Sequence, residues 1–146
     1  MTIRSARPED LPTIYALVRE LAVYEKEPEA LTATLETYQK EFTKHTFDAL
    51  VAEVDGRVIG MALYYLTFST WKGRMLYLED FVVAPTHRNQ GIGSKLLDAF
   101  FNKARELNCV MVKWQVLDWN EHATRLYERK GAIVEQQWWN CKLFLD

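Results

Sequence analysis

A chain of 146 residues is enough for one domain with a real core, and 49% hydrophobic with 26% charged residues is ordinary for a globular fold. A net charge of −2 without a long Lys/Arg run argues against nucleic acid as a main partner. The longest apolar run, 58–68, is too short to span a bilayer, and the N-terminus has no apolar signal core, so no membrane partner and a cytoplasmic location are expected.

The chain reads as a single domain, 1–146, of mixed α/β order. Thr2 to Arg7 alternates as a short strand. Pro8-Glu9-Asp10 is a turn with acids for a helix start, and Leu11, Ile14, Leu17, Val18 and Leu21 recur at helical spacing to about Tyr24. A charged, proline-bearing loop follows, then a weaker helical pattern over 34–42. Ala49 to Val54 and Arg57 to Phe68 form a hairpin about Asp55-Gly56.

After the loop 69–73 comes a strand from Arg74 to Ala84, which Pro85 ends because it lacks a ladder N–H. Gly93 to Leu107 is a helix, Val110 to Val116 a strand, and Asn120 caps a helix closed by Gly131. Ala132 to Leu145 is expected to supply one or two final strands. Antiparallel hairpins followed by a β-α-β crossover give a mixed, mostly antiparallel sheet flanked by helices.

Two places carry chemistry. The loop Arg88-Asn89-Gln90-Gly91-Ile92-Gly93 opens a helix, whose bare N–H groups and positive dipole end suit a phosphate. It lacks the third glycine of a dinucleotide fingerprint, and Gly93-Ser94-Lys95 reverses the Gly-Lys-Ser/Thr of a nucleotide-triphosphate loop. A pyrophosphate cradle of another kind is left. The strand before it holds two adjacent acids, Glu79 and Asp80, in an apolar run. Strand alternation puts Glu79 on one face with Tyr77 and Phe81, and Asp80 on the other in a structural role. His45, His87 and His122 show no metal-ligand spacing, Cys109 and Cys141 form no CxxC, and no metal is expected.

LEDFVV followed by Arg88 to Gly93 resembles the coenzyme A pyrophosphate loop of the GNAT superfamily of N-acetyltransferases. Arg4-x-Ala6 and Asn120-x-x-Ala123-x-x-x-Tyr127 extend the likeness to both ends of the chain. The segments ELAVYEKE, MALYYLTFSTW, RNQGIGSKLL and DWNEHATRLYERKGA are most similar to the diamine, or spermidine/spermine, N-acetyltransferase type.

The resemblance implies the GNAT fold and acetyl-CoA as co-substrate. Phe81, Val82 and Val83 would pair with the pantetheine arm through their backbone. Arg88, Asn89, Gln90, Gly91, Ile92, Gly93 and Ser94 would hold the pyrophosphate, Asn120 would contact the cofactor, and Tyr127 would lie beside the thioester sulfur. Tyr24, Glu25, Trp71 and Glu79 would line an amine site, and a homodimer is implied.

Elementary chemistry agrees with these roles. A primary amine of pKa about 10.4 is an ammonium at pH 7, and freeing its lone pair costs about 4.6 kcal/mol. A carboxylate such as Glu79 can attract the ammonium and accept its proton, and a phenol such as Tyr127 can protonate the departing thiolate. The segment Gln136-Gln137-Trp138-Trp139, where polyamine-specific relatives place acids, suits a shorter amine: a diamine, or a lysine-like amino acid such as thialysine. A protein or peptide amine, or a non-catalytic acyl-CoA-binding module, are the other readings of the same fold.

Overall fold

The computed structural model describes residues 1–145, in two compact units: Met1–Gln115, and a second from Val116 onward. The first unit holds a five-stranded sheet in chain order: β1 (Thr2–Ser5), β2 (Asp48–Val54), β3 (Arg57–Ser69), β4 (Gly73–Val83) and β5 (Met111–Trp114). The first three pairings are antiparallel and β4–β5 is parallel. Asp55 and Gly56 take φ of 51° and 75°, the left-handed pair that a two-residue hairpin needs.

Helix α1 (Leu11–Tyr24) buries Leu11, Ile14, Leu17 and Val18, the stripe that the helical period marks out. They pack on Ala49, Val51, Met61, Leu63 and Val82 of one sheet face. At about 1.5–3 kcal/mol per buried aliphatic side chain, this stripe is what fastens the helix. Helix α2 (Leu35–Thr43) is capped by Thr34, whose hydroxyl accepts from Thr37 N at 3.1 Å, and Tyr38 joins the same cluster.

The opposite face receives α3 (Ile92–Glu106), whose Leu96, Leu97 and Phe100 are fully buried, with Phe100 against the ring of Tyr64. In the second unit, α4 (Glu121–Arg129) starts at Asn120, whose Oδ1 accepts from Ala123 N at 3.2 Å. Gly131, at φ 94°, follows its end.

Two expectations need correction. The strand expected over 110–116 is shorter, Met111–Trp114. No strand forms among the described residues of 132–145, where Ile133, Trp139, Leu143 and Phe144 are each more than 80% exposed. Strand propensity alone makes no strand, because the backbone groups of an extended segment need a ladder partner.

Candidate active site

The main feature is a β-bulge. Leu63 pairs with Asp80, but the next residue, Tyr64, pairs with Leu78, so Glu79 is the extra residue of β4. Before the bulge, Leu78 lies on the α3 face with Tyr64; after it, Asp80 and Val82 lie on the α1 face with Leu63 and Met61. Glu79 turns to that α1 side as well, where the Tyr65 hydroxyl donates to its Oε2 at 2.8 Å. The expected opposition of Glu79 and Asp80 is therefore wrong, since the inserted residue cancels the alternation. Phe81 is also not a same-face neighbour of Glu79: its ring lies 3.5 Å from where a Cβ of Gly93 would stand, on the α3 side.

The electrostatics follow from this crowding. Burial, then the charges of Glu79 and Glu25, push the Asp80 carboxyl up to about 7. Burial, then Asp80, pushes the Tyr38 phenol up to about 12. Burial, then the hydrogen bond to Glu79, raises Tyr65 further still, so it remains a donor. Burial and Glu79 also raise Tyr77, whose ring stacks on Tyr65 at 5.5 Å. One face of the sheet thus gathers two adjacent carboxylates, a third at the end of α1, and a wall of protonated phenols. That is an environment for a cation.

The other expected site residues are placed as follows. Glu25 closes α1, and Tyr24 precedes it with its ring 5.8 Å from the Arg88 guanidinium. Arg88 Nε also donates to the Val83 carbonyl at 2.9 Å. Trp71 is 84% exposed in the β3–β4 turn. At ~3.3 Å per strand residue it stands roughly 25 Å along the hairpin from Glu79, so the two are not brought together. In the second unit Tyr127 is buried, and the side-chain oxygen of Asn120 is engaged as the α4 cap. Tyr65, Tyr38 and the facing of Asp80 were not legible as site features. Counting residues outward from the 69–73 turn would have paired Tyr65 with Tyr77, as observed.

The residues that would hold a coenzyme A pyrophosphate fit that group. Asn89 and Gly91 have φ of 63° and 77°, left-handed conformations of the kind found in anion-binding backbone nests. No side chain caps α3, and its first backbone bond is Lys95 N to Gly91 O at 3.2 Å, which leaves the N–H groups of the opening turn outside the helical ladder. The Ile92 side chain is buried beside Ala52 and Ile59, so only its backbone can serve a ligand. The β4–β5 ladder ends at Leu78–Trp114, while β4 runs on to Val83. β5 ends at Trp114, so its ladder does not reach Phe81, Val82 and Val83. Among the described residues no group of three or more His, Cys, Asp or Glu is arranged to hold a metal ion, and no helix is long and apolar enough to cross a membrane.

A mixed sheet with a bulge in β4, and a glycine loop leading to a helix whose opening N–H groups lie outside its ladder, fits an N-acetyltransferase. The chain belongs to the acetyltransferase (GNAT) family, which it matches over residues 11–132. It is 38% identical to the thialysine N-epsilon-acetyltransferase of Bos taurus, over 97% of this chain and 91% of that protein. It is 31% identical to the human spermidine/spermine N(1)-acetyltransferase-like protein 1, over 90% of this chain and 20% of that protein. A solved probable acetyltransferase superposes with a TM-score of 0.75 at 27% identity, covering 100% of this chain and 99% of that one. The protein is an acetyltransferase, and family members use acetyl-CoA.

Proposed function

We propose that the protein transfers the acetyl group of acetyl-CoA to the primary amine of a small cationic substrate, a diamine or a lysine-like amino acid. The observation that carries this reading is the bulge, which sets Glu79 and Asp80 on one face within range of Glu25. The similarity to thialysine N-epsilon-acetyltransferases, over nearly the whole length of both proteins, supports the same substrate class.

Acetyl-CoA supplies a thioester carbonyl that an uncharged amine can attack directly. Glu79 attracts the ammonium and takes its proton, lowering a cost of about 4.6 kcal/mol at neutral pH. The nitrogen lone pair then forms the new C–N bond, the C–S bond breaks, and the second proton that the nitrogen sheds restores the phenol of Tyr127. The Tyr127 phenol gives its proton to the departing sulfur, and its buried side chain is shielded from bulk water. Backbone of Phe81 to Val83 would hold the pantetheine arm, Arg88 to Ser94 would hold the phosphates, and Asn120 would contact the cofactor. Tyr24 and Glu25 are assigned to amine binding, whereas Trp71, roughly 25 Å along the hairpin from Glu79, is left out of the same small-amine site.

The family match from 11 to 132 crosses the boundary between the two units and supports reading 1–146 as one functional domain. Exposed Trp138, Trp139, Leu143 and Phe144 support a homodimer, and the two free cysteines a reducing, cytoplasmic setting. The test is CoA release from acetyl-CoA across diamines, polyamines, lysine analogues and short peptides. Turnover with the first and third groups, lost in Glu79→Gln, is the expected result. Turnover with peptides alone would overturn the substrate class.

A further inference from the structure

We infer that Tyr65 is a positioning residue for acetyl transfer: its hydroxyl fixes the Glu79 carboxylate at the bulge and leaves Oε1 to the amine. The inference rests on the reading of Glu79 as proton acceptor.

A bulge residue lacks a register partner, so the ladder that aligns its neighbours does not align Glu79. A glutamate side chain on such a residue is exposed and has three rotatable bonds, and it needs another anchor to meet a substrate in one geometry. Tyr65 supplies it. Its hydroxyl donates to Oε2 at 2.8 Å from the neighbouring strand, across 14 positions of sequence. Its ring is itself held by a stack on Tyr77, its register partner, with centroids 5.5 Å apart and planes within 24°.

The arrangement is a chain of constraints: hairpin register fixes the two rings, the ring fixes the hydroxyl, and the hydroxyl fixes one carboxylate oxygen. A phenol that donates to a carboxylate favours the ionised form of that carboxylate, the form able to take a proton from the amine. The groups around Glu79 leave this donor a clear task. Asp80 beside it, Glu25 at the end of α1, and the phenols of Tyr77 and Tyr38 share its surroundings, and none of these four is a cation.

The experiment is the pH profile of kcat/KM for the amine in the wild type, Tyr65→Phe, Glu79→Gln and the double variant, with acetyl-CoA binding measured by calorimetry. Phenylalanine keeps the stack and removes only the hydroxyl. Tyr65→Phe should move the acid limb up by roughly one unit and lower kcat/KM about three- to tenfold below neutrality, the weight of one charge-assisted hydrogen bond. Acetyl-CoA affinity should be unchanged, and the loss should vanish in the Glu79→Gln background. Tyr77→Phe, which keeps both the stack and the Tyr65 hydrogen bond, should leave the acid limb in place.

An unmoved acid limb in Tyr65→Phe, or an equal loss with and without Glu79, would overturn the inference. If Glu79→Gln itself leaves rate and profile unchanged, the reading of Glu79 fails instead. Should Tyr65→Phe bind acetyl-CoA poorly or melt early, fluorotyrosine at position 65, a more acidic donor, would replace it. A downward shift of the acid limb would then support the same role, and an unmoved limb would overturn it.

Discussion

Glu79 and Asp80 are consecutive residues of one strand, yet both face α1, because Glu79 stands outside the β3–β4 register. The pair meets an amine with a charge that depends on pH. Asp80, held up to about 7 by burial and by Glu79 and Glu25, is neutral in mild acid and ionised above neutrality. The amine KM should therefore fall roughly three- to tenfold between pH 6 and pH 8, as the face gains a negative charge. Asp80→Asn should flatten that dependence; a KM that falls equally in the variant removes Asp80 from amine binding.

The same shift has a stability consequence of definite sign. A carboxyl whose folded pKa lies above its ordinary value binds its proton more tightly in the folded state. Its contribution is complete below the ordinary carboxylate range and is lost as pH rises through about 7. At 1.36 kcal/mol per unit, the loss is on the order of a few kcal/mol. The melting temperature should drop from pH 5 to pH 8, and Asp80→Asn should reduce the drop.

Asp10 shows the opposite sign. Arg4 donates to both its oxygens at 2.8 and 3.0 Å and to Glu53 Oε2 at 2.7 Å, while Arg7 N donates to Asp10 Oδ2 at 2.7 Å. The Arg4 hydrogen bond, working against burial, lowers the Asp10 pKa, so this contribution is present above the ordinary carboxylate value and lost as pH falls through the depressed one. Arg4→Met strands a carboxylate that is only 8% exposed, and urea unfolding should show a loss of about 2–4 kcal/mol.

Gly91 tests the phosphate loop. Its φ is 77°, and a Cβ there would meet no atom within 4 Å, so Gly91→Ala costs backbone strain alone. That is about 1 kcal/mol of stability. The acetyl-CoA KM should rise several-fold with the amine KM little changed; the reverse pattern would take the loop away from the cofactor.

Tyr127→Phe should lower kcat by roughly a hundredfold while leaving acetyl-CoA affinity within about twofold. Rapid-mixing measurement of the chemical step checks it. A kcat within a few-fold of the wild type would remove the acid role.

Much of the fold was legible because it follows two local periods. Leu11, Ile14, Leu17 and Val18 declare a helix stripe, and Asp55-Gly56 a hairpin turn, before any long-range contact is known. The bulge was not, since it exists only as a difference in count between two strands. The sole local sign was two acids where an alternating strand has room for one. The segment after Gly131 was misread for a related reason: its aromatic and β-branched residues suit a strand, but a ladder needs a second edge. Tyr65 was hidden among the apolar residues of β3, where its hydroxyl looked incidental.

Because the acids owe their placement to one surplus residue, the site is encoded by chain length as much as by side-chain identity. The two halves of β4 obey opposite parity: even positions face α3 up to Leu78 and α1 from Asp80 onward. Deleting Glu79 would restore uniform parity with Leu78 still opposite Tyr64 and Asp80 still opposite Leu63, so every other side chain of β4 would keep its face. A single-residue deletion there would keep the sheet's register and remove the carboxylate that Tyr65 holds, parting the fold from its chemistry.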